Sequence, residues 1–149
     1  MRAPVSSKAS WSALGSNGAG NGSLNNFVTS IVVSGSDIYV GGAFENVNNN
    51  GTILPAADGI AKWDGTNWSA LGSNGIGNGA LNGSVTDIAI SGNNIYVGGV
   101  FTDVNNNGTV LTAADYIAKW DGTNWSALAS NGAGDGSLNS VPRAIVASG

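Results

Sequence analysis

The sequence predicts an all-β fold built from repeated four-stranded antiparallel sheets, and three observations support this. Tryptophan recurs at positions 11, 68 and 125, each 57 residues after the last, and at 63 and 120 with the same spacing. Each period holds four short runs rich in β-branched and aromatic residues, with glycine-rich and asparagine-rich turns between them. No stretch shows the apolar period and capping residues that a helix requires.

The first complete period contains four predicted strands in succession. They span Val28–Val33, Ile38–Phe44, Gly59–Trp63 and Trp68–Leu71. A Ser-Gly-Ser-Asp turn joins the first two, a polar asparagine-rich loop follows the second, and an Asp-Gly turn joins the last two. The same pattern recurs one period later, so two complete units are predicted at about 27–72 and about 84–129.

The Asp-Gly turn sets the pairing of the third and fourth strands. Either a four-residue loop of Asp64–Asn67 or a two-residue loop of Gly65–Thr66 places Trp63 opposite Trp68 across the hairpin. The same register places Ala61 opposite Ala70. Cross-strand aromatic pairs contribute up to about 1 kcal/mol, so we expect the tryptophan pair to hold this hairpin in register.

The second strand is apolar on both of its faces. Ile38 and Val40 point to one face, whereas Tyr39 and Ala43 point to the other. A sheet of this kind has to be covered on both sides. Four-stranded sheets stacked between like neighbours around an axis meet that demand, and this is how the blades of a β-propeller are arranged. The predicted fold class is therefore a β-propeller with four-stranded antiparallel blades.

Three strings of residues resemble a kelch-like family of bacterial and fungal β-propeller repeats. They are IYVGGAF at 38–44, AADGIAKWDGTNW at 56–68 and SALGSNG at 69–75. The family pattern places a Tyr-Val-Gly-Gly-x-Phe strand before an Ile-Ala-x-Trp-Asp-Gly-x-x-Trp hairpin. The resemblance implies the fold and no activity, because such propellers are mostly surface or adhesion modules without known catalysis.

The sequence also predicts incomplete blades, at about 1–14 and about 141–149. In the first, Trp11–Leu14 matches the last strand of a blade, and Pro4–Ser10 is expected to be a degraded third strand. In the second, Arg143–Ala147 matches the first strand of a blade. Propellers usually have roughly four to eight blades, so two complete blades do not close a ring.

These incomplete blades lead to a hypothesis of homo-oligomeric self-assembly. Chains would associate head to tail, with the first strand of a blade from one chain and the last strand from the next. A dimer would then hold six blades, two complete ones from each chain and two shared, and this is the favoured closed form. The alternative is that the sequence is a fragment of a longer extracellular propeller protein.

The composition argues against several classes of function. Five basic and nine acidic residues give a net charge of −4, so no nucleic-acid partner is expected. Cysteine and histidine are both absent, which removes thiolate chemistry, the commonest general base and the commonest metal ligand. We expect no enzyme activity, no catalytic residues, no cofactor apart from a Ca²⁺ candidate, and no membrane span. An extracellular or cell-surface location is favoured, and the sequence opens without a secretion signal.

The asparagine-rich loop of the second period is the candidate metal site. Asp103, Asn105 and Asn107 alternate along the chain as in the first half of a Ca²⁺-binding loop. The closing acid of such a loop is missing, since its position is Ala114, and Asp115 comes one residue later. In the first period Asn46 replaces the leading aspartate, which removes a charge. The alternative is a polar loop without metal, in which asparagine and glycine tolerate a left-handed backbone.

The Trp-Asp-Gly hairpins are the candidate sugar site. Exposed indole rings could stack on a sugar while the turn carboxylates accept hydrogen bonds from its hydroxyl groups. The residues concerned are Trp63, Asp64, Trp68, Trp120, Asp121 and Trp125. The hairpins resemble those of small fucose-binding propeller lectins, which implies a glycan partner. The alternative is that the tryptophans pack between neighbouring blades.

Overall fold

A computed structural model describes residues 9–148, and within that range every regular element is a β-strand. The all-β class is therefore confirmed. The strands are β1 (Val28–Ser34), β2 (Asp37–Gly42), β3 (Val47–Asn49), β4 (Thr52–Leu54), β5 (Ile60–Trp63), β6 (Trp68–Ala70), β7 (Val85–Ser91), β8 (Asn94–Gly99), β9 (Val104–Asn106), β10 (Thr109–Leu111), β11 (Ile117–Trp120) and β12 (Trp125–Ser126).

The strands form two four-stranded antiparallel sheets and two small hairpins. Sheet 1 has the order β1-β2-β5-β6, and sheet 2 has the order β7-β8-β11-β12. The hairpins β3–β4 and β9–β10 are each inserted between the second and third strands of a sheet. Strand β7 starts 57 residues after β1, so the period of the sequence is also the period of the structure.

The register predicted for the Trp-Asp-Gly hairpin is confirmed. Trp63 pairs with Trp68, and Ala61 pairs with Ala70. The Asp64 amide closes the turn by donating to the Asn67 carbonyl oxygen at 3.1 Å. The turn chemistry visible in the sequence was therefore sufficient to fix which residues face each other.

The prediction of an irregular polar loop after the second strand was wrong, because the structure contains a hairpin there. Strands β3 and β4 are joined by Asn50 and Gly51, which both have positive φ angles, of 52° and 95°. A two-residue Asn-Gly turn of this kind matches the twist of paired strands, so it favours a hairpin. The Asn48 side chain stabilises the turn by accepting a hydrogen bond from the Gly51 amide at 2.7 Å.

The two terminal strand assignments stay predictions, because both strands were expected to pair in a blade shared with a second chain. Neither 11–14 nor 143–147 has strand geometry. A strand exists only where a neighbour completes its backbone hydrogen bonds, and the described part of the chain supplies no such neighbour at either segment. The third strand predicted at Pro4–Ser10 lies mostly outside the described residues.

The apolar residues of β2 and β5, the two central strands of sheet 1, are covered on both faces, as the sequence predicted. On one face Val40 and Trp63 join a core with Phe44 and with Val47 of the β3–β4 hairpin. On the other face Ile60 joins the core that contains sheet 2.

Strand β7 lies directly against sheet 1, because a glycine leaves room for it. A Cβ atom built at Gly41 would lie 2.5 Å from Val85 Cγ1 and 3.0 Å from Ile88 Cδ1. Such distances are too short for real carbon atoms, so no larger residue fits without moving β7. Gly41 is therefore a point of close approach between the two sheets.

Replacing Gly41 by alanine should destabilise the protein by about 1–3 kcal/mol, since overpacking forces neighbouring side chains and backbone apart. Chemical denaturation followed by tryptophan fluorescence measures this. Gly22→Ala is the matched control, because a Cβ atom at Gly22 would meet no atom within 4 Å. Equal stability of the two variants would show that the sheets are not in close contact at Gly41.

Candidate functional site

The four hairpin tryptophans form two buried pairs. The ring centroids of Trp63 and Trp68 are 5.4 Å apart, and those of Trp120 and Trp125 are also 5.4 Å apart. All four side chains are at least nine-tenths buried. These positions favour the packing interpretation over an exposed platform for sugars, because ring faces that are already covered offer little surface for stacking.

The indole nitrogens of Trp68 and Trp125 each donate a hydrogen bond to the chain segment that precedes their sheet. Trp68 Nε1 donates to the Leu14 carbonyl oxygen at 2.9 Å, and Trp125 Nε1 donates to the Leu71 carbonyl oxygen at 2.7 Å. Leu14 and Leu71 are one period apart. The segment at Leu14 therefore binds sheet 1 as the end of sheet 1 binds sheet 2, although it is not a strand.

The aspartates of the Trp-Asp-Gly hairpins stabilise their own turns. The Asp64 carboxylate accepts hydrogen bonds from the amides of Thr66 and Asn67 at 2.8 and 2.7 Å. Asp121 accepts from the amides of Thr123 and Asn124 at the same distances. These bonds favour the charged form and hold the pKa of both carboxyl groups below their usual value.

The candidate metal ligands are also engaged in backbone hydrogen bonds. Asn105 Oδ1 accepts from the Gly108 amide at 2.8 Å, within the β9–β10 turn. Asp115 Oδ1 accepts from the Asp103 amide at 3.0 Å, and its Oδ2 accepts from the Gly136 amide at 3.3 Å. Asp103 and Asn107 have positive φ angles, of 56° and 51°.

The structure thus brings Asp103 next to Asp115, but the contact is made by the backbone amide of Asp103 and not by its carboxylate. Within residues 9–148 no group of three or more acidic, histidine or cysteine side chains is placed to hold a metal ion. Ca²⁺ binding by this loop stays a hypothesis, and the hydrogen bonds of Asn105 and Asp115 account for these residues without it.

The contact between β1 of sheet 1 and β7 of sheet 2 is the most extensive candidate for an interaction surface. Thr29 Oγ1 donates to the Val85 carbonyl oxygen at 2.7 Å. Ser30 Oγ donates to Asp87 Oδ1 at 2.9 Å and accepts from the Ile88 amide at 3.1 Å. Side chains therefore join β1 to β7, because the backbones of these two strands do not hydrogen-bond to each other as neighbours in a sheet.

Residues 142–147, which we call the tail, repeat this contact on sheet 2. Thr86 Oγ1 donates to the Pro142 carbonyl oxygen at 2.7 Å, and the Ile145 amide donates to Asp87 Oδ2 at 2.6 Å. A Cβ atom built at Gly98 would lie 2.6 Å from Pro142 Cγ and 2.7 Å from Ile145 Cδ1. The tail therefore occupies on sheet 2 the position that β7 occupies on sheet 1.

One equivalent surface has no cover among the described residues. Val28, Ile31 and Val33, which we call the β1 face, are 38%, 61% and 65% exposed. Of their equivalents on β7, Val85 and Ile88 are 0% and 4% exposed, because they pack on sheet 1, and Ile90 is half-buried. The same apolar positions are thus a core in one sheet and a surface in the other.

The sequence analysis missed this site, although a signal was present. Ser30, Asp87 and Ala144 occupy one equivalent position in three successive periods. The residue at this position differs in each period of an otherwise repetitive pattern. In the structure, Asp87 bridges Ser30 on one side and the tail on the other.

Two polar clefts lie beside this contact. One, of about 330 Å³, is lined by Glu45, Asp58, Asn74 and Asn78 among others. The other, of about 350 Å³, lies between the turns of the two sheets. Its polar lining includes Asp37, Tyr39, Asn93 and Asp121. Burial raises the pKa of Tyr39, and the nearby Asp37 carboxylate adds to this, so the hydroxyl keeps its proton at neutral pH.

Comparison of the chain with protein-family models, with curated proteins and with solved structures found no match. In the described range, no helix is long and apolar enough to span a membrane.

The lowered pKa of Asp121 predicts a defined loss of stability in acid. A carboxyl group whose pKa is depressed by folding stabilises the protein above its unfolded pKa, and this contribution is lost as the pH falls through the folded pKa. Thermal melts between about pH 5 and about pH 2 should therefore show a smaller acid-induced loss for Asp121→Asn than for the parent. Asn keeps an oxygen for the turn but does not titrate.

Asp135→Asn is the matched control for this measurement. It removes one carboxylate that accepts no backbone hydrogen bond from the described residues. If both variants reduced the acid sensitivity equally, general charge repulsion rather than the turn would explain the effect.

Proposed function

We propose that the protein is a non-catalytic structural and interaction module, whose sheets are kelch-like β-propeller blades and whose copies associate head to tail. The observation that carries this proposal is the exposed β1 face. Val28, Ile31 and Val33 form an apolar row on β1. In the equivalent row on β7, Val85 and Ile88 are buried between the sheets and Ile90 is half-buried. Because the equivalent residues of β7 are buried against a sheet, the β1 face is best stabilised by packing against a sheet as well.

The energetics favour covering this surface. Burial of apolar surface contributes about 25 cal/mol per Å², and Ile31 and Val33 are both more than half exposed. Among residues 9–148, strand β1 is also an edge of sheet 1, with hydrogen bonds to β2 on one side only. Exposed edge strands with apolar side chains associate readily with other strands. The β1 face is therefore suited to binding protein.

Head-to-tail association is the arrangement that the repeat favours. A contact between different surfaces of identical chains closes into a ring when the rotation between neighbours is right. In the shared-blade form, the tail of one chain and the segment at Leu14 of the next contribute to the same blade, and a dimer holds six blades. If the sequence belongs to a longer propeller, other repeats of the same polypeptide would cover the β1 face.

Native mass tests self-association directly. Light scattering across a concentration series should show a mass that rises from 14.8 kDa toward twice that value. Ile31→Lys should hold the chain at the lower mass, because it places a charge in the apolar contact. Ile76→Lys is the matched control, since Ile76 is 86% exposed and lies in a loop away from the β1 face. A parent chain that stays monomeric throughout and is unaffected by Ile31→Lys would contradict the proposal.

A second candidate function is carbohydrate binding in the cleft between the sheets. Its volume of about 350 Å³ lies at the lower end of the usual range for small-molecule sites. The Tyr39 hydroxyl and the carboxylates of Asp37 and Asp121 are groups that hydrogen-bond to sugar hydroxyls.

Calorimetric titration with a panel of monosaccharides tests this candidate. Tyr39→Phe should weaken any binding at least about tenfold, because the sugar loses its hydrogen-bond partner. Tyr96→Phe, one period later, is the matched control and should bind like the parent. Absence of heat with every sugar, or equal effects of the two variants, would count against this function.

A further inference from the structure

We propose that sheet 2 carries the docking site for the β1 face of a second copy, and that the tail is a built-in competitor for that site. The site, which we call the Gly98 surface, consists of Tyr96, Gly98, Ile117 and Leu128. This inference rests on the self-association in the proposed function, since it names the surface that receives β1. It differs from the shared-blade form in one respect: the tail leaves the contact and contributes no strand, so a dimer holds four complete blades, two from each chain. It also adds a device that limits the association.

The Gly98 surface has the shape of an inter-sheet contact. Gly98 is one period after Gly41, and both glycines leave room for an apolar strand to approach. On sheet 1, β7 fills that space with Val85 and Ile88. On sheet 2, the tail fills it with Pro142 and Ile145. The tail therefore takes the place of a strand like β7, but no described residue forms a sheet behind it.

The tail covers the Gly98 surface incompletely. Leu71 is 3% exposed where sheet 2 packs over it, whereas its equivalent Leu128 is 45% exposed. Ile60 is buried by the same contact, whereas its equivalent Ile117 is only half-buried. A single irregular segment leaves apolar surface that a complete sheet would bury. A second copy therefore offers more contact area than the tail does.

The β1 face has the chemistry that this surface accepts. Val28 and Ile31 match Val85 and Ile88, so the methyl groups that fill the space at Gly41 have counterparts for the space at Gly98. Ser30 of a second copy would meet Asp87, which reproduces the hydroxyl–carboxylate pair seen between the two sheets. The tail has Ala144 at this position and forms no such pair.

Docking would exchange equivalent segments of two chains. Residues 129–147 of one chain align with residues 15–33 of the second, two periods earlier in the sequence. Only one of these two segments can therefore pack on the Gly98 surface at a time. The loop at Ser16 is fixed to its own hairpin, because the Asn50 amide donates to the Ser16 carbonyl oxygen at 2.8 Å. The equivalent loop at Ser130 meets no such hairpin among the described residues. The segment 129–147 is therefore the one that leaves.

Full-length Ile145→Asp is the variant that tests the competition. It places a carboxylate against the apolar Gly98 surface and close to Asp87, so it should release the tail. The apparent dissociation constant for self-association should fall at least about tenfold relative to the parent, as measured by sedimentation velocity. Val146→Asp is the matched control, because it adds the same charge at a neighbouring residue that is 90% exposed. It should associate like the parent.

Two further measurements locate the contact. Gly98→Ala combined with Ile145→Asp should abolish the gain, because a Cβ atom at Gly98 blocks the approach of any strand. A synthetic peptide of residues 140–149 should dissociate the oligomers of Ile145→Asp, whereas the same peptide carrying the aspartate should not. The peptide measurement remains decisive if the double variant fails to fold.

The outcomes separate the two proposals. Tighter association of Ile145→Asp that Gly98→Ala or the peptide reverses supports the competition. Association that Ile31→Lys disrupts but Ile145→Asp leaves unchanged would overturn the role of the tail and leave the self-association standing. A chain that does not associate as the parent or as Ile145→Asp would overturn both.

Discussion

The structure depends on the contact in which β7 lies against sheet 1 at Gly41. Each sheet is apolar on both faces, so neither is stable as an isolated layer. The close approach at Gly41 lets Val85 and Ile88 enter the core with almost no exposed surface. Thr29 and Ser30 then supply the polar partners that an isolated strand edge would lack. Stacking, more than pairing within a sheet, decides which residues are buried.

The repeated sequence makes this dependence visible, because chemically equivalent residues lie in different surroundings. Val28 and Val85 are identical residues one period apart, yet one is 38% exposed and the other is fully buried. Neither propensity nor local sequence explains the difference, since both lie at the start of a seven-residue strand. Only the presence or absence of a neighbouring sheet differs. Burial in this protein is thus a property of the stack and not of the single repeat.

This explains how much of the fold could be predicted from the sequence. The register of the Trp63–Trp68 hairpin follows from a short turn, and local chemistry determines it. The four main strands of each sheet follow from alternating apolar runs. The β3–β4 hairpin was missed because polar asparagines obscured strands of only three residues. Its Asn50-Gly51 turn was the available signal.

The candidate site was harder to predict, because side chains from distant repeats form it. Ser30 and Asp87 are separated by 57 residues, and their hydrogen bond exists only when two sheets stack. Among the aspartates and asparagines that suggested metal and sugar chemistry, Asp64 and Asn105 stabilise turns by accepting backbone hydrogen bonds. In a chain this rich in glycine, polar side chains are needed to fix the backbone. The polar residues that stand out in the composition are therefore ones that already hydrogen-bond within turns. The exposed β1 face is apolar, and it is recognised only when equivalent positions of the two repeats are compared.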